Sequence, residues 1–257
     1  HRDLHLSIRR QRQMCIRDSY RKHLGLTKTF VLPLGISPET VIGKSTRDRD
    51  ELRRSLGIGN SFVIVNPARF VPEKGHRYLL EALHILKTVH GLTPKVLAIG
   101  GGSLRPVIEE AARERGLGEQ VTFLPSLPQQ LLLEYMRAAD LMVLPSTHDG
   151  SPTVVLEAMA LGIPVVATAV GGFFVKVYRY VSGLLAPTDD AESLADALHR
   201  IMNNQELREQ LAHTAKQHVE RFYVAELAQG YEALCMQLLT KGRAGTPSAT
   251  SVPEIDT

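Results

Sequence analysis

From residue 62 onward, short runs of consecutive apolar residues alternate with longer stretches in which apolar positions recur every three or four residues. The runs at 62–66, 95–100, 120–124, 140–144 and 164–168, with a weaker one at 183–186, predict strands. The stretches at 75–90, 104–115, 128–138, 152–161 and 191–203 predict helices. Strand and helix follow one another in turn, the pattern of parallel strands joined by crossover helices. Strands that are apolar at successive positions belong to a sheet covered by helices on both faces. The predicted fold is therefore α/β, a doubly wound, Rossmann-like parallel sheet with flanking helices over residues 62–204.

The flanks read differently. Two further helical segments are expected at 205–221 and 224–239, followed by a Gly/Pro/Ser/Thr-rich tail over 240–257 with no apolar period, expected to be disordered. Residues 29–61 carry a strand-like run at 30–34 and a lead-in helix. Residues 1–28 have no helical or alternating order and are expected to be a non-native or disordered leader. Within them, Met14-Cys15-Ile16-Arg17-Asp18-Ser19 resembles the translated end of a sequencing adapter, so residues 1–19 carry no weight in the fold reading. Resequencing the native locus and finding the same codons would refute that origin.

With 44% apolar and 22% charged residues the chain has the composition of a globular protein. Its net charge of +3 would point to nucleic acid, but residues 1–22 hold seven basic side chains against two acidic ones, leaving −2 for residues 23–257. No nucleic-acid partner is expected. Cys15 and Cys235 cannot form a disulfide framework, so the reducing cytoplasm is the default compartment. The longest apolar stretch, 154–172, is interrupted by Glu157 and Pro164 and reads as helix, turn and strand, not as a membrane span.

Candidate chemistry concentrates where predicted strands end. The segment from Ser146 to Glu157 follows the strand at 140–144 and opens a helix, with Ser151 suited to its N-cap and Pro152 to its first turn. Free N–H groups at such a helix start, beyond the carboxyl edge of a parallel sheet, suit an anionic ligand. Glu157 lies in the otherwise apolar run 154–160, either buried against a ligand hydroxyl or turned to solvent. Asp149, eight residues earlier at the loop tip, makes the pair more informative than either member.

The segment from Asn66 to Gly75 also joins a strand to a helix. Arg69 and Lys74 are placed to converge on a phosphate; the plainer alternative is a solvated loop with an Arg69–Glu73 pair. Gly100-Gly101-Gly102-Ser103 lacks the dinucleotide spacing, since Arg105 stands where a third glycine would, and close backbone approach or a generic phosphate contact is expected instead. Gly171-Gly172 reads as a permissive turn at the same edge. Asp48-Arg49-Asp50 is better explained as an acidic helix start than as a metal site. The ten histidines show no ligand spacing, and neither a G-x-S-x-G elbow nor a P-loop occurs.

These clusters, in this order, resemble the donor-binding domain of retaining GT-B glycosyltransferases, the group called glycosyltransferase family 4. The resemblance runs from about residue 30 to residue 239 and rests on Ala68-Arg69-Phe70 with Lys74-Gly75, and on Ala139-Asp140-Leu141 with Pro145-Ser146. It rests further on Asp149-Gly150-Ser151-Pro152 with Glu157-Ala158-Met159-Ala160, and on Gly162-Ile163-Pro164-Val165-Val166. Pro33-Leu34-Gly35-Ile36 is similar to the family's interdomain crossover strand.

The resemblance implies that Arg69 and Lys74 grip the donor diphosphate, that Glu157 binds the nucleotide ribose and that Asp149 contacts the transferred sugar. Gly150, Ser151, Pro152, Thr153 and Val154 would line sugar and phosphate. It implies departure of a nucleoside diphosphate with retention at the anomeric carbon, the charge met by Arg69, Lys74 and the helix N-terminus. No cofactor or metal is implied. The donor is a nucleotide sugar and the acceptor a glycan, lipid or small molecule; the parent enzyme would be cytoplasmic, with peripheral membrane association allowed. Three departures stand out. Asp149 replaces the usual glutamate, residues 173–180 lack the Pro-Glu usual after the glycine pair, and the acceptor-binding half is absent apart from the crossover. The expectation is thus the C-terminal half of a GT-B fold, without turnover on its own. Alternatives sharing the fold are a sugar-nucleotide epimerase and an inactive nucleotide-sugar-binding module.

Overall fold

The computed structural model describes residues 34–43, 47–150, 152–170 and 182–241. The leader, residues 30–33 of the first expected strand, Ser151, Gly171-Gly172, residues 173–180 and residues 242–257 of the tail lie outside them.

Two helices lead in, α1 (Pro38–Val41) and α2 (Arg49–Ser55). There follow β1 (Val63–Pro67), α3 (His76–Val89), β2 (Lys95–Ile99), α4 (Arg105–Glu114), β3 (Val121–Leu124), α5 (Gln129–Ala138) and β4 (Leu141–Leu144). Next come α6 (Thr153–Leu161), β5 (Val165–Thr168), β6 (Gly183–Ala186), α7 (Ala191–Met202), α8 (Gln205–Val219) and α9 (Val224–Lys241). Each element expected from residue 62 onward is present. Two expectations shift: the helix at 205–221 ends at Val219 and continues as a 3-10 turn, Glu220–Phe222, and Thr240 and Lys241, expected in the tail, close α9.

The strands form one parallel sheet in the order β3-β2-β1-β4-β5-β6. Alternate residues of each strand supply the two cores. Val63, Val65, Met142 and Leu144 pack on one face with side chains of α5, α6 and α8, while Ile64, Leu141 and Val143 pack on the other with α3, α4 and α7. Each such side chain contributes about 1.5–3 kcal/mol of burial, which is why the strands carry no polar alternation. The order reverses between β1 and β4, and the helices that follow these two strands lie on opposite faces. Such a reversal is the switch point of a doubly wound sheet, at whose carboxyl edge ligands bind.

The lead-in segment is tied to the opposite edge. Asp48 caps α2 by accepting from the Asp50 N–H at 3.2 Å, so the D-x-D is a helix start, as expected. Arg53, only 7% exposed, donates to the carbonyls of Ala138 and Gly59 at 2.9 and 2.8 Å and to Asp140 at 3.2 Å. Asp140 also accepts from Arg49 at 2.6 Å and from the Val63 N–H at 2.8 Å, joining α2, β1 and the start of β4 through one carboxylate. Asp140→Asn removes that charge from two arginines and is expected to destabilise the chain by about 2–3 kcal/mol in urea unfolding. An unchanged midpoint would show the network to be idle. Ile36 pairs in parallel with Tyr223, donating to the Phe222 carbonyl and accepting from the Val224 N–H, both at 3.0 Å. No helix among the described residues is long and apolar enough to cross a membrane.

Candidate functional site

The loop after β1 is held from below by the loop after β2. The Ala68 N–H donates to Ile99 at 3.0 Å, the Phe70 N–H to Gly101 at 2.8 Å, and the Leu104 N–H to Phe70 at 3.1 Å. The contact is close enough that a Cβ on Gly102, where φ is +146°, would stand 2.4 Å from the Phe70 carbonyl oxygen. Close backbone approach, one of the two uses expected for the glycine run, is what the structure has here. Beside it, the loop joins the segment after β4: the Thr147 N–H donates to the Glu73 carbonyl at 2.8 Å, and Gly75 lies against Pro145.

Lys74 and Asp149 meet across this junction as an ion pair, their side chains 20% and 11% exposed. The Ser146 hydroxyl, buried, reaches the same Asp149 oxygen at 3.5 Å. Beneath, Thr168 of β5 donates to the Ser146 carbonyl, and Asn66 at the end of β1 donates to Val143 of β4 at 2.8 Å. These buried groups fix the bend that carries Asp149. Asn66 is wholly buried and its Oδ1 has no partner among the described residues. Arg69 is exposed and its side chain makes no ion pair or hydrogen bond among the described residues, so the Arg69–Glu73 pair does not form; its carbonyl accepts from the Val71 N–H at 2.9 Å. The sequence places two cations on this loop; the structure engages Lys74 and leaves Arg69 to solvent.

His76, the first residue of α3, is buried and stacks on Phe70 with ring centroids 4.3 Å apart. Burial, and secondly the Lys74 charge, push its pKa down to about 4, so the ring is neutral near pH 7. Its apolar packing behind Lys74 had no signature in the sequence beyond the helix period.

The helix after β4 begins one residue later than expected. Pro152, with φ −67° and ψ 124°, is the N-cap of α6, with no side-chain capping bond, and Thr153 opens the helix. Proline's extended ψ keeps it out of the helix, which corrects the assignment of Pro152 to the first turn. The capping role expected of Ser151 falls on a residue outside those described. Gly150 is exposed, and Thr153 and Val154 present the first N–H groups of α6 at the carboxyl edge.

Glu157 does not turn to solvent. It is 7% exposed on an apolar helix, and its Oε1 accepts from Gln129 Nε2 at 3.0 Å. Burial raises its pKa and the Gln129 amide opposes that rise. Gln129 was not singled out by the sequence, since a glutamine at a helix start has no distinguishing period. Among the described residues, no group of three or more His, Cys, Asp or Glu side chains could hold a metal ion.

Comparison with known proteins decides the family. The profile of glycosyl transferases group 1 matches residues 48–218, the span holding β1 to β6 and both loops. This chain belongs to the group 1 glycosyltransferases. It is 36% identical over 190 residues to D-inositol 3-phosphate glycosyltransferase of Rhodococcus erythropolis, covering 71% of this chain and 43% of that protein. To the Corynebacterium urealyticum protein of the same name it is 32% identical over 237 residues, covering 90% of this chain and 55% of that one. The chain thus spans about half the length of the curated relatives it matches. Among solved structures, sucrose-phosphate synthase of Thermosynechococcus elongatus superposes with a TM-score of 0.74 at 27% identity, over 87% of this chain and 56% of that one. Anabaena HepE in complex with UDP gives 0.72 at 26%, over 82% and 58%. The doubly wound sheet is of the GT-B kind.

Proposed function

We propose that this chain is the nucleotide-sugar-binding half of a retaining glycosyltransferase. The observation that carries the reading is the placement of Arg69, Lys74 and Asp149 on the two loops that follow β1 and β4 at the sheet's switch point, with Glu157 on the helix opening from one of them. Arg69 and Lys74 bind the donor diphosphate through charge-assisted bonds, Lys74 exchanging Asp149 for phosphate oxygen. The Thr153 and Val154 N–H groups and the positive end of α6 add to the same field, with Gly150 and Pro152 beside sugar and phosphate. Glu157 accepts from the ribose hydroxyls, and Asp149, released from Lys74, accepts from a hydroxyl of the sugar.

In the reaction the bond between the anomeric carbon and the diphosphate oxygen breaks, its electron pair leaving with the nucleoside diphosphate. The acceptor oxygen bonds to the same face of the carbon, and its proton passes to the departing phosphate. Negative charge grows on the leaving group, where Arg69, Lys74 and α6 stand in place of a metal. The acceptor is a hydroxyl-bearing glycan, lipid or small molecule. HepE, in the same superposition class, has also been crystallised with UDP-glucose.

Calorimetric titration with UDP, GDP and ADP tests this. One of them is expected to bind the wild type, and Glu157→Gln to bind it about ten- to a hundredfold more weakly, in line with about 1.5–3 kcal/mol for a charged hydrogen bond. A folded wild type that binds none of the three, or a Glu157→Gln variant as tight as wild type, would overturn the assignment.

A further inference from the structure

We propose that Gln129 is a positioning residue for the nucleotide site: its carboxamide holds Glu157 Oε1 so that Oε2 faces the ribose. This rests on the reading of Glu157 as the ribose ligand.

The argument begins with an imbalance. Glu157 sits among Val155, Leu156, Ala158, Met159 and Ala160, all buried, and is itself 7% exposed. A carboxylate there needs donors for its oxygens, because desolvation disfavours the charged form. Among the described residues one donor reaches it, Gln129 Nε2 at 3.0 Å from Oε1, and Oε2 has none. Half of the carboxylate is therefore satisfied by the protein and half is left for something else.

The donor comes from outside the core. Gln129 is exposed and opens α5 directly after Pro128, in the connection that leaves the carboxyl end of β3. Its side chain reaches inward to a carboxylate on a different helix, α6. An exposed glutamine loses side-chain entropy when pinned in this way, which offsets part of what the contact contributes to fold stability. What the contact does change is Glu157: it opposes the rise that burial imposes on the pKa, and it selects one orientation of the carboxylate plane. An ionised carboxylate with one oxygen held and the other open accepts from a hydroxyl pair in a defined direction. An unanchored one would divide its time between orientations.

The test separates ribose recognition from phosphate binding. Wild type, Gln129→Leu, Gln129→Ala and Glu157→Gln are titrated with UDP, GDP and ADP, with the 2′,3′-dideoxy form of whichever binds, and with inorganic pyrophosphate. Removing the amide is expected to weaken binding of the ribonucleotide about tenfold. Pyrophosphate affinity should stay at the wild-type value, and wild type and both Gln129 variants should bind the dideoxy nucleotide alike. Ribonucleotide affinity unchanged in both Gln129 variants, alongside a weakened Glu157→Gln, would overturn the role of Gln129 and leave the Glu157 reading standing. Equal losses for ribo- and dideoxynucleotide would also overturn it, as would weakened pyrophosphate binding. Glu157→Gln binding as tightly as wild type, or no nucleotide binding at all, would instead remove the reading on which the proposal rests.

Discussion

Lys74→Ala is expected to lower nucleoside diphosphate affinity about ten- to a hundredfold, and the Arg69→Ala, Lys74→Ala double variant further still. A charge-assisted bond to phosphate contributes about 1.5–3 kcal/mol, and the proposed site offers two such cations. The pairing seen in the structure makes the prediction specific. Lys74 is engaged with Asp149, so diphosphate must displace a carboxylate before it gains the ammonium group. Asp149→Asn removes that competitor and is expected to leave nucleoside diphosphate affinity equal to wild type or tighter. Isothermal titration reads both. If Asp149→Asn lost as much affinity as Lys74→Ala, the pair would be a structural clamp with no exchange, and Lys74 would not be a phosphate ligand.

Gly75→Ala is the change with the largest expected effect on the site's architecture. Gly75 is left-handed, with φ +64°, and a Cβ there would lie 1.9 Å from the Pro145 carbonyl oxygen. The left-handed conformation costs an L-residue about 1–2 kcal/mol, and forcing two backbones apart in a packed junction costs about 1–3 kcal/mol more. The expected outcome is a loss of about 2–5 kcal/mol in urea unfolding, with nucleotide binding lost in whatever remains folded. The reason is geometric: this contact, together with the Thr147 to Glu73 bond, brings Lys74 to Asp149. Unaltered stability and binding would mean that the loops dock without it.

The fold was largely legible in the sequence because both of its periods are strong. Runs such as 62–65 and 141–144 are apolar throughout since each face of β1 and β4 meets a separate helical layer, and this pattern survives without knowledge of neighbours. The loops bearing Arg69, Lys74 and Asp149, and the helix bearing Glu157, were legible by position, after strand ends. Their partnerships were not. Nothing along the chain shows that Lys74 reaches Asp149, 75 residues away, or that Gln129 reaches Glu157, 28 residues on, because such pairs depend on how two loops or helices meet. The choice between a solvent-facing and a buried Glu157 likewise turned on α5 lying beside α6. The cap at Pro152 missed by one residue, since proline's chemistry suits a helix start and only its own backbone angle, ψ 124°, puts it before the first turn and not in it.

The central claim is that a nucleoside diphosphate binds between the loops that follow β1 and β4. Titrating the 15N-labelled chain with UDP, GDP and ADP while following amide resonances tests it most directly. The account predicts saturable shifts at Arg69 to Gly75 and at Thr153 to Glu157, with Gln129 responding and the Asp140 edge of the sheet silent. Saturable shifts centred on Asp140, Arg49 and Arg53, or a spectrum unmoved by all three nucleotides, would contradict it.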